Sequence, residues 1–164
     1  MRHNAVKKFG IYLAAIALVA IGARNCVGSG EDRELGRAIS QGQTAIVAEL
    51  LAKGADPKGR AVSLPHLYNA VNHEHVEITR LLLDSGADIN LRFGPAKRSP
   101  LHEAVKLANL DIIKLLVERG ADINIRNTHD RSPLYYARNM IPDRINANRK
   151  EDVIEYLLEN GATE

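Results

Sequence analysis

An internal repeat constrains this chain more than any other feature of its sequence. The motif Gly-Ala-Asp or its variant Gly-Ala-Thr occurs four times, at 54–56, 86–88, 120–122 and 161–163. An alanine lies 16 residues before each of the first three glycines, and the alanines of the four units are Ala38, Ala70, Ala104 and Ala137. Their spacings of 32, 34 and 33 residues are typical of a chain built from stacked repeats. Only the last unit departs, with 24 residues between Ala137 and Gly161.

The residue pattern of each unit predicts two short helices. In the third unit, Ser99 is expected to cap the first helix and Pro100 to be its first residue, where no backbone N–H is needed. The second helix is predicted over 110–119, because its apolar residues recur at helical spacing. Gly120 supplies the left-handed residue that ends this helix. Ile123 begins an extended, hairpin-like connection to the next unit.

The residues around these alanines and glycines resemble the signatures of the ankyrin-repeat family. The T-P-L-H-x-A signature of that family appears as S-P-L-H-E-A at 99–104 and as S-P-L-Y-Y-A at 132–137. Its L-L-x-x-G-A-D stretch appears at 50–56, 82–88 and, one residue longer, 115–122. The resemblance implies an all-α solenoid of four helix-turn-helix repeats with hairpin-like connections, at about 31–57, 58–90, 91–124 and 125–164. It also implies that His102 forms hydrogen bonds to neighbouring backbone.

Three departures from the family pattern lead to further predictions. The first unit has Arg37 and other polar residues where the signature would stand, as a terminal cap with one uncovered face requires. Glu74 and Ala108 occupy positions where the family usually has glycine, so altered turns are expected there. The insertion in the last unit, near 141–150, contains Pro142 and an Asn-rich run, which predict a protruding loop.

The first thirty residues differ in character from the repeats. Three cations precede an uncharged, apolar run from Phe9 to Ala23. As a helix this run would rise about 22 Å, less than the hydrocarbon core of about 30 Å. Residues 1–23 are therefore predicted to be a signal peptide (or a signal anchor), followed by a linker at 24–30. The expected location is the periplasm or the exterior, with inner-membrane anchoring as the alternative. The lone Cys26 can form no internal disulfide.

The sequence contains no arrangement that predicts catalysis. No nucleophile–base pair or phosphate-binding loop can be placed, so we expect a protein that is not an enzyme and has no catalytic residues or cofactor. We also expect it to be a monomer. His73, His75 and Glu77 come nearest to a metal site. Histidines two apart at a turn are expected to point in different directions, so no metal is predicted. Without residues 1–23 the chain has 19 Lys and Arg against 20 Asp and Glu, a balance that does not favour nucleic-acid binding.

The resemblance implies that a partner binds to the concave face, formed by the hairpin tips and the first helix of each unit. The predicted tips, at 58–63, 91–98 and 125–131, contain seven cations and one anion, which favours a partner with an acidic surface. The candidate residues at the tips are Arg92, Phe93, Lys97, Arg98, Arg126 and Arg131. The candidate residues on the first helices are Tyr68, Asn69, Asn72, His73, Glu103, Lys106, Leu107, Tyr136 and Met140. All of these except Tyr68 are expected to be exposed. Arg98 and Arg131 occupy the same repeat position, so they are expected to stack along one basic edge.

The function implied by the resemblance is that of short exported bacterial ankyrin proteins. Such a protein is a non-catalytic binding module of the cell envelope, whose concave face captures a partner protein and neutralises or protects it. The alternative is a membrane-anchored structural adaptor that tethers an envelope assembly. An enzyme is a remote alternative.

Overall fold

The computed structural model describes residues 30–61, 64–141 and 147–163. Within these ranges the chain forms eight helices, which are α1 (Gly30–Ser40), α2 (Thr44–Ala52), α3 (His66–Asn72), α4 (Val76–Asp84), α5 (Pro100–Lys106), α6 (Leu110–Glu118), α7 (Pro133–Asn139) and α8 (Ala147–Glu159). Two short strands, β1 (Arg60–Ala61) and β2 (Leu64–Pro65), pair antiparallel between α2 and α3. Each first helix packs on the next first helix, and each second helix on the next second helix. The predicted all-α solenoid of four helix pairs is therefore confirmed.

The predicted leader at 1–23 and Cys26 lie outside the described residues, as does the linker up to Ser29. Gly30, which was assigned to that linker, is instead the first residue of α1. None of the helices in the described ranges is both long enough and apolar enough to cross a membrane.

The first helices of the third and fourth units begin as their sequences predict. The Ser99 hydroxyl accepts a hydrogen bond from the backbone N–H of His102, and the Ser99 N–H donates to Nδ1 of His102 at 3.2 Å. Ser132 caps α7 in the same way, accepting from the N–H of Tyr135 at 3.2 Å. A proline follows each serine as the first residue of the helix. These caps satisfy N–H groups that a helix cannot bond internally.

Left-handed residues end the helices and shape the turns. Gly120 has a φ of +87° after α6, as predicted, and the following Ala121 N–H bonds back to Leu116 O at 3.0 Å. Glu74 and Ala108, which stand where the family has glycine, also adopt positive φ, at +59° and +53°. The altered turns that were expected there are thus left-handed conformations held by residues with a Cβ, which such conformations disfavour.

The core runs without interruption from one repeat into the next. Ile78, Ile112 and Val153 occupy the same position in the second helices of three successive units, and all three are fully buried. The equivalent Ile46 of the first unit is 39% exposed, because no described unit lies before it. Arg37 is exposed at the same end of the solenoid, as expected for a terminal cap.

Asparagine side chains add polar links between successive connections. Asn90 Oδ1 accepts from the N–H of Asp122 at 2.9 Å, one repeat further along. Asn124, at the equivalent position, accepts from the N–H of Thr163 at 2.7 Å and donates to Gly161 O at 3.1 Å. Each link satisfies backbone groups that lie beyond the end of a helix, and so fixes the spacing of adjacent repeats.

The insertion in the fourth unit is only partly described. Residues 142–146, with Pro142, lie outside the described ranges, whereas 147–150 form the first turn of α8. The prediction of a loop over 141–150 is therefore wrong for its last four residues. Ile141, at the start of the insertion, is buried against the core.

Leu116→Ala should destabilise the protein by about 2–5 kcal/mol, because this fully buried leucine belongs to a core cluster that spans three repeats. The free energy of unfolding from urea denaturation measures the loss. The exposed Lys114 on the same helix gives the matched control, since Lys114→Ala should change stability by about 0.5 kcal/mol at most. An equally small effect of Leu116→Ala would contradict the assigned packing.

Candidate functional site

The connections before the third and fourth units lie side by side at their tips. In the third, Phe93 and Arg98 form a bridge through two backbone hydrogen bonds of 2.9 Å, and Lys97 takes a left-handed φ of +49°. The N–H of Thr128 in the fourth tip donates to Ala96 O in the third at 3.0 Å. This bond ties the tips together, so they present one continuous surface.

Asn127 folds the fourth tip. Its side-chain oxygen accepts from the N–H groups of His129 and Arg131, at 2.8 and 3.1 Å. Its amide nitrogen donates to the hydroxyl of Tyr136 at 3.0 Å. Asparagine is suited to such turns because its short side chain replaces missing backbone partners. The tip is thereby fixed to the first helix beneath it.

His102 bonds to neighbouring backbone, as the resemblance implied, and one of these bonds joins it to the next repeat. Its Nε2 lies 2.9 Å from Arg131 O, and because a carbonyl can only accept, Nε2 carries the proton. Nδ1 is then free to accept from Ser99. The ring also meets Tyr136 edge-on at a centroid distance of 5.1 Å. Burial lowers the pKa of His102, and the hydrogen bond to Arg131 opposes that change only in part, so the neutral imidazole predominates at neutral pH.

Arg98 takes part in a buried polar cluster instead of the predicted basic edge. Its guanidinium lies 3.1 Å from Glu103 Oε2 and donates to the Tyr68 hydroxyl at 3.0 Å. The Tyr68 hydroxyl donates in turn to Glu103 Oε2 at 2.5 Å, and Lys106 Nζ lies 3.0 Å from the other carboxylate oxygen. Phe93 packs on the Tyr68 ring at 5.3 Å. The cluster therefore holds the third tip against the second and third repeats.

The protonation states in this cluster follow from burial and from its hydrogen bonds. Burial raises the pKa of Glu103, but hydrogen bonds from Tyr68 and Lys106 and the charges of Lys106 and Arg98 outweigh it, so the net pKa is lowered. Burial and the hydrogen bond to Glu103 raise the pKa of Tyr68 to about 12. At neutral pH the cluster thus consists of one carboxylate, one neutral phenol and two cations.

Four of the nominated residues on the first helices are buried. Tyr68, Asn69, Glu103 and Tyr136 are between 1% and 5% exposed, so the prediction that the last three are exposed is wrong. Asn69, Glu103 and Tyr136 directly precede the repeat alanine. Asn69 shows where this position points, because its amide donates to Ser40 Oγ at 2.9 Å in the preceding unit. A polar side chain at this position meets the previous repeat and not the solvent.

The two arginines expected to stack on one edge have different surroundings. Arg131 lies over the ring of Tyr135, with 5.0 Å from its guanidinium carbon to the ring centroid, in a cation–π contact. Arg98 is held by Glu103 in the equivalent position. Arg126 forms an ion pair with Asp130 at 3.3 Å. The predicted basic surface is therefore smaller than the sequence suggests.

The exposed cations at the third tip are Arg92 and Lys97, and no ion pair involves either of them within the described ranges. Exposed residues on the first helices are Asn72, His73, Lys106 and Met140, and Leu107 is half-buried. The nominated Arg98, Arg126 and Arg131 are also half-buried, and each makes one of the contacts described above. The seven residues just named, with the half-buried Phe93, are the other nominated residues that stay accessible. We call this set, together with Tyr135, the concave surface.

Tyr135 was not among the nominated binding residues, although it is 38% exposed. It occupies the repeat position of His102, whose ring faces the following unit. In the last unit no described repeat follows, so the same position becomes accessible. Its place at the His102 position of the fourth unit, the last unit among the described residues, was the signal that could have identified it.

The two histidines at the turn between the helices of the second unit are oriented differently from what the sequence predicted. The rings of His73 and His75 are nearly parallel, 13° between planes, with centroids 5.9 Å apart, so the expectation that they point in different directions is wrong. Glu77 pairs with Arg80 at 3.4 Å. Among the described residues no three His, Cys, Asp or Glu side chains form a group that could hold a metal ion.

Comparison with protein families agrees with this geometry. The family model for ankyrin repeats, which describes three copies, matches residues 35–127 and 97–163, more than half of the chain. The chain belongs to the ankyrin-repeat family. Ankyrin repeats are in general protein–protein interaction modules and are typically non-catalytic.

Arg98→Glu should destabilise the protein by about 2–4 kcal/mol, because it places a second carboxylate beside the buried Glu103. Breaking a fully buried ion pair costs about 3–5 kcal/mol. The expected loss is somewhat smaller here because a third of the Arg98 side chain is exposed. Urea denaturation measures the change. Arg92→Glu makes the same charge change at an exposed site of the same tip and should stay within about 0.5 kcal/mol. Equal stabilities of the two variants would contradict the cluster.

Glu103→Gln should remove an acid-sensitive part of the stability. Because the folded-state pKa of Glu103 is lowered, the ionised form stabilises the fold above the unfolded-state value of about 4.3. That contribution is lost as pH falls from about 4.3 through the folded-state pKa. The variant should therefore be less stable than wild type at pH 7, and the difference should narrow towards pH 3. A difference that does not change with pH would show that Glu103 acts only through its shape.

Proposed function

We propose that this protein is an exported, non-catalytic binding module that captures an acidic partner protein on its concave surface. The observation that carries the proposal is the pair of exposed cations, Arg92 and Lys97, on a tip that is held rigidly above the first helices. The alternative of a membrane-anchored adaptor differs in how the chain is retained, not in this surface.

The rigidity of the tips supports a role in recognition. The backbone bond from Thr128 to Ala96 links the fourth tip to the third, and the His102 contact with Arg131 O ties the fourth tip to the third repeat. A preorganised surface loses little conformational entropy when a partner binds, so more of the contact energy appears as affinity. Steric coverage of a partner's functional site needs no catalytic group, which is consistent with neutralisation or protection.

The cations and the apolar side chains of this surface would have different roles in binding. Cations on the tip accelerate encounter with an acidic surface and orient it, and contribute less to affinity. Tyr135 and Met140 are 38% and 39% exposed, and together with the half-buried Leu107 they offer large side chains of the kind that carry binding energy. The proposed partner therefore presents carboxylates beside an apolar patch.

Export is tested by the mature N-terminus. Mass spectrometry of the protein purified from the envelope of its native host should find a chain that begins at Ala23 or Arg24. A chain that retains residues 1–23 and fractionates with the inner membrane would instead support the anchored adaptor.

The partner surface is tested by reversing charge at two places. Affinity capture from the native envelope identifies the partner, and association is then measured at several salt concentrations. Arg92→Glu with Lys97→Glu should slow association and reduce its salt dependence, while the melting temperature stays nearly unchanged.

The matched control reverses two cations on the second helices, Arg80→Glu with Lys114→Glu, which lie away from the tips. This variant has the same net charge as the tip variant, so overall charge cannot explain a difference between them. If both variants associate equally fast and with equal salt slopes, the tips do not contact the partner. The interface would then involve the first helices around Leu107 or the insertion at 141–150.

A further inference from the structure

The three junctions between successive units use the same two positions of their first helices. In each junction, the residue directly before the repeat alanine contacts the residue two places before the repeat alanine of the preceding unit. The contacts are the amide of Asn69 to Gly36 O at 3.3 Å, the hydroxyl of Tyr68 to Glu103 Oε2 at 2.5 Å, and the rings of His102 and Tyr136, edge-on with centroids 5.1 Å apart. The same pairing is therefore expected wherever one unit stacks on another.

The second helices meet through an apolar pair at equally fixed positions, counted from the glycine of the repeated Gly-Ala motif. The residue eight places before that glycine shares a core cluster with the residue three places before the glycine of the preceding unit. The pairs are Ile78 with Leu51, Ile112 with Leu83, and Val153 with Val117. Between the second and third units there is also an ion pair, in which Arg119, directly before its glycine, meets Asp84, two places before the preceding one.

One half of this junction is exposed on the first unit. The positions that contact a preceding unit are held there by Arg37, Ile46 and Lys53, and all three side chains are exposed. Lys53 pairs with Glu49 of its own unit at 2.6 Å, and 61% of its side chain still reaches solvent. We call the surface formed by Arg37, Ile46 and Lys53 the first-unit end.

The other half of the junction is exposed on the fourth unit. The positions that contact a following unit are held there by Tyr135, Leu158 and Glu159, and all three residues are exposed. Val117, at the position of Leu158 in the third unit, is half-buried because the fourth unit packs on it. We call the surface formed by Tyr135, Leu158 and Glu159 the fourth-unit end. One chain thus carries both halves of the same interface.

The two ends match each other at both positions of the second helices. Ile46 is apolar like the residues that pack at its position in the later units, and Leu158 is an apolar partner that is 45% exposed. Lys53 and Glu159 hold the two positions of the ion pair between the second and third units, with the same charges in the same order. A second copy stacked on the fourth-unit end would therefore bury an apolar pair and bring opposite charges together.

The two ends also match at the position of the first helices. A guanidinium only donates hydrogen bonds, whereas a phenol hydroxyl can accept them. Within this protein the Tyr68 hydroxyl accepts from Arg98 at 3.0 Å. Arg37, which would meet Tyr135 in a stacked copy, is therefore a suitable donor for its hydroxyl.

We propose that this chain associates head to tail, with the first-unit end of one copy stacked on the fourth-unit end of another. A second copy is the occupant because it presents a complementary residue to every open position of that end, in the register that the internal junctions already use. Since the two joined surfaces differ, each added copy exposes a new end, and association continues beyond two copies. The expected monomer then exists only in dilute solution. The inference does not depend on the proposed partner protein, although Tyr135 stays accessible to such a partner only on the last copy.

Sedimentation equilibrium of the intact chain tests the proposal. The contact at one repeat end is small, so association should be weak and should appear between about 10 μM and 1 mM. Over that range the mean mass of the wild type should rise above that of one chain. A mass that stays at one chain throughout would overturn the proposal.

Two variants, each blocked at one end, show which surfaces join. Ile46→Asp blocks the first-unit end and Leu158→Asp the fourth-unit end, so each variant alone should keep the mass of one chain. An equimolar mixture still contains one intact end of each kind and should reach the mass of two chains but no more. Ser85→Asp adds the same charge at an exposed position of the second unit and should associate like the wild type. Association of either blocked variant alone, or a mixture that stays at one chain, would contradict head-to-tail stacking.

Charge reversal tests the register of the contact and does not disturb the core. Lys53→Glu and Glu159→Lys should each raise the dissociation constant several-fold, because each places like charges opposite each other across the junction. The two changes in one chain restore opposite charges and should recover most of the wild-type association. A double variant weaker than both single variants would show that these residues do not meet, and would overturn the proposed register.

Discussion

Burial of each repeat's apolar face by the next repeat is the interaction on which the rest of the structure depends. Ile78, Ile112 and Val153 are fully buried because a neighbouring unit covers them, whereas Ile46 and Leu158, near the two ends, are 39% and 45% exposed. A two-helix unit alone has no other surface against which to bury such residues. Stacking therefore comes first, and the positions of the hairpin tips follow from it, since each tip continues from helices that are already fixed.

The positions that stacking dictates could be predicted from sequence, and the polar contacts between repeats could not. Ser99, Pro100 and Gly120 each act within a few residues of their own position, so their local sequence is sufficient. Asn69 and Glu103 were expected to be exposed because the resemblance places the first helices on the concave face. They are buried because each bonds across a repeat boundary, to Ser40 and Tyr68 respectively. Such partners lie about a repeat length away in sequence, and local patterning does not identify them.

Equivalent positions in a repeat protein need not have equivalent roles, as Arg98 and Arg131 show. Both precede a Ser-Pro pair, but the residue before the repeat alanine is Glu103 in one unit and Tyr136 in the other. A carboxylate draws Arg98 into an ion pair, whereas Arg131 lies over the ring of Tyr135. The charge available at a tip is therefore set by the helix beneath it. A count of cations along the sequence overestimates the basic surface for this reason.

The second unit departs most from its neighbours at the start of its first helix, and that departure decides how the hairpin there is held. Ser99 and Ser132 cap the first helices of the later units through their side chains, but Pro65, at the same position, has no side-chain oxygen and forms no such cap. In its place, the β1–β2 pair and the His66 bond to Gly59 O hold the connection. A cap stabilises the helix itself, so losing it weakens the repeat. A strand pair acts on the connection instead, and β1 in turn packs against α1 of the preceding unit.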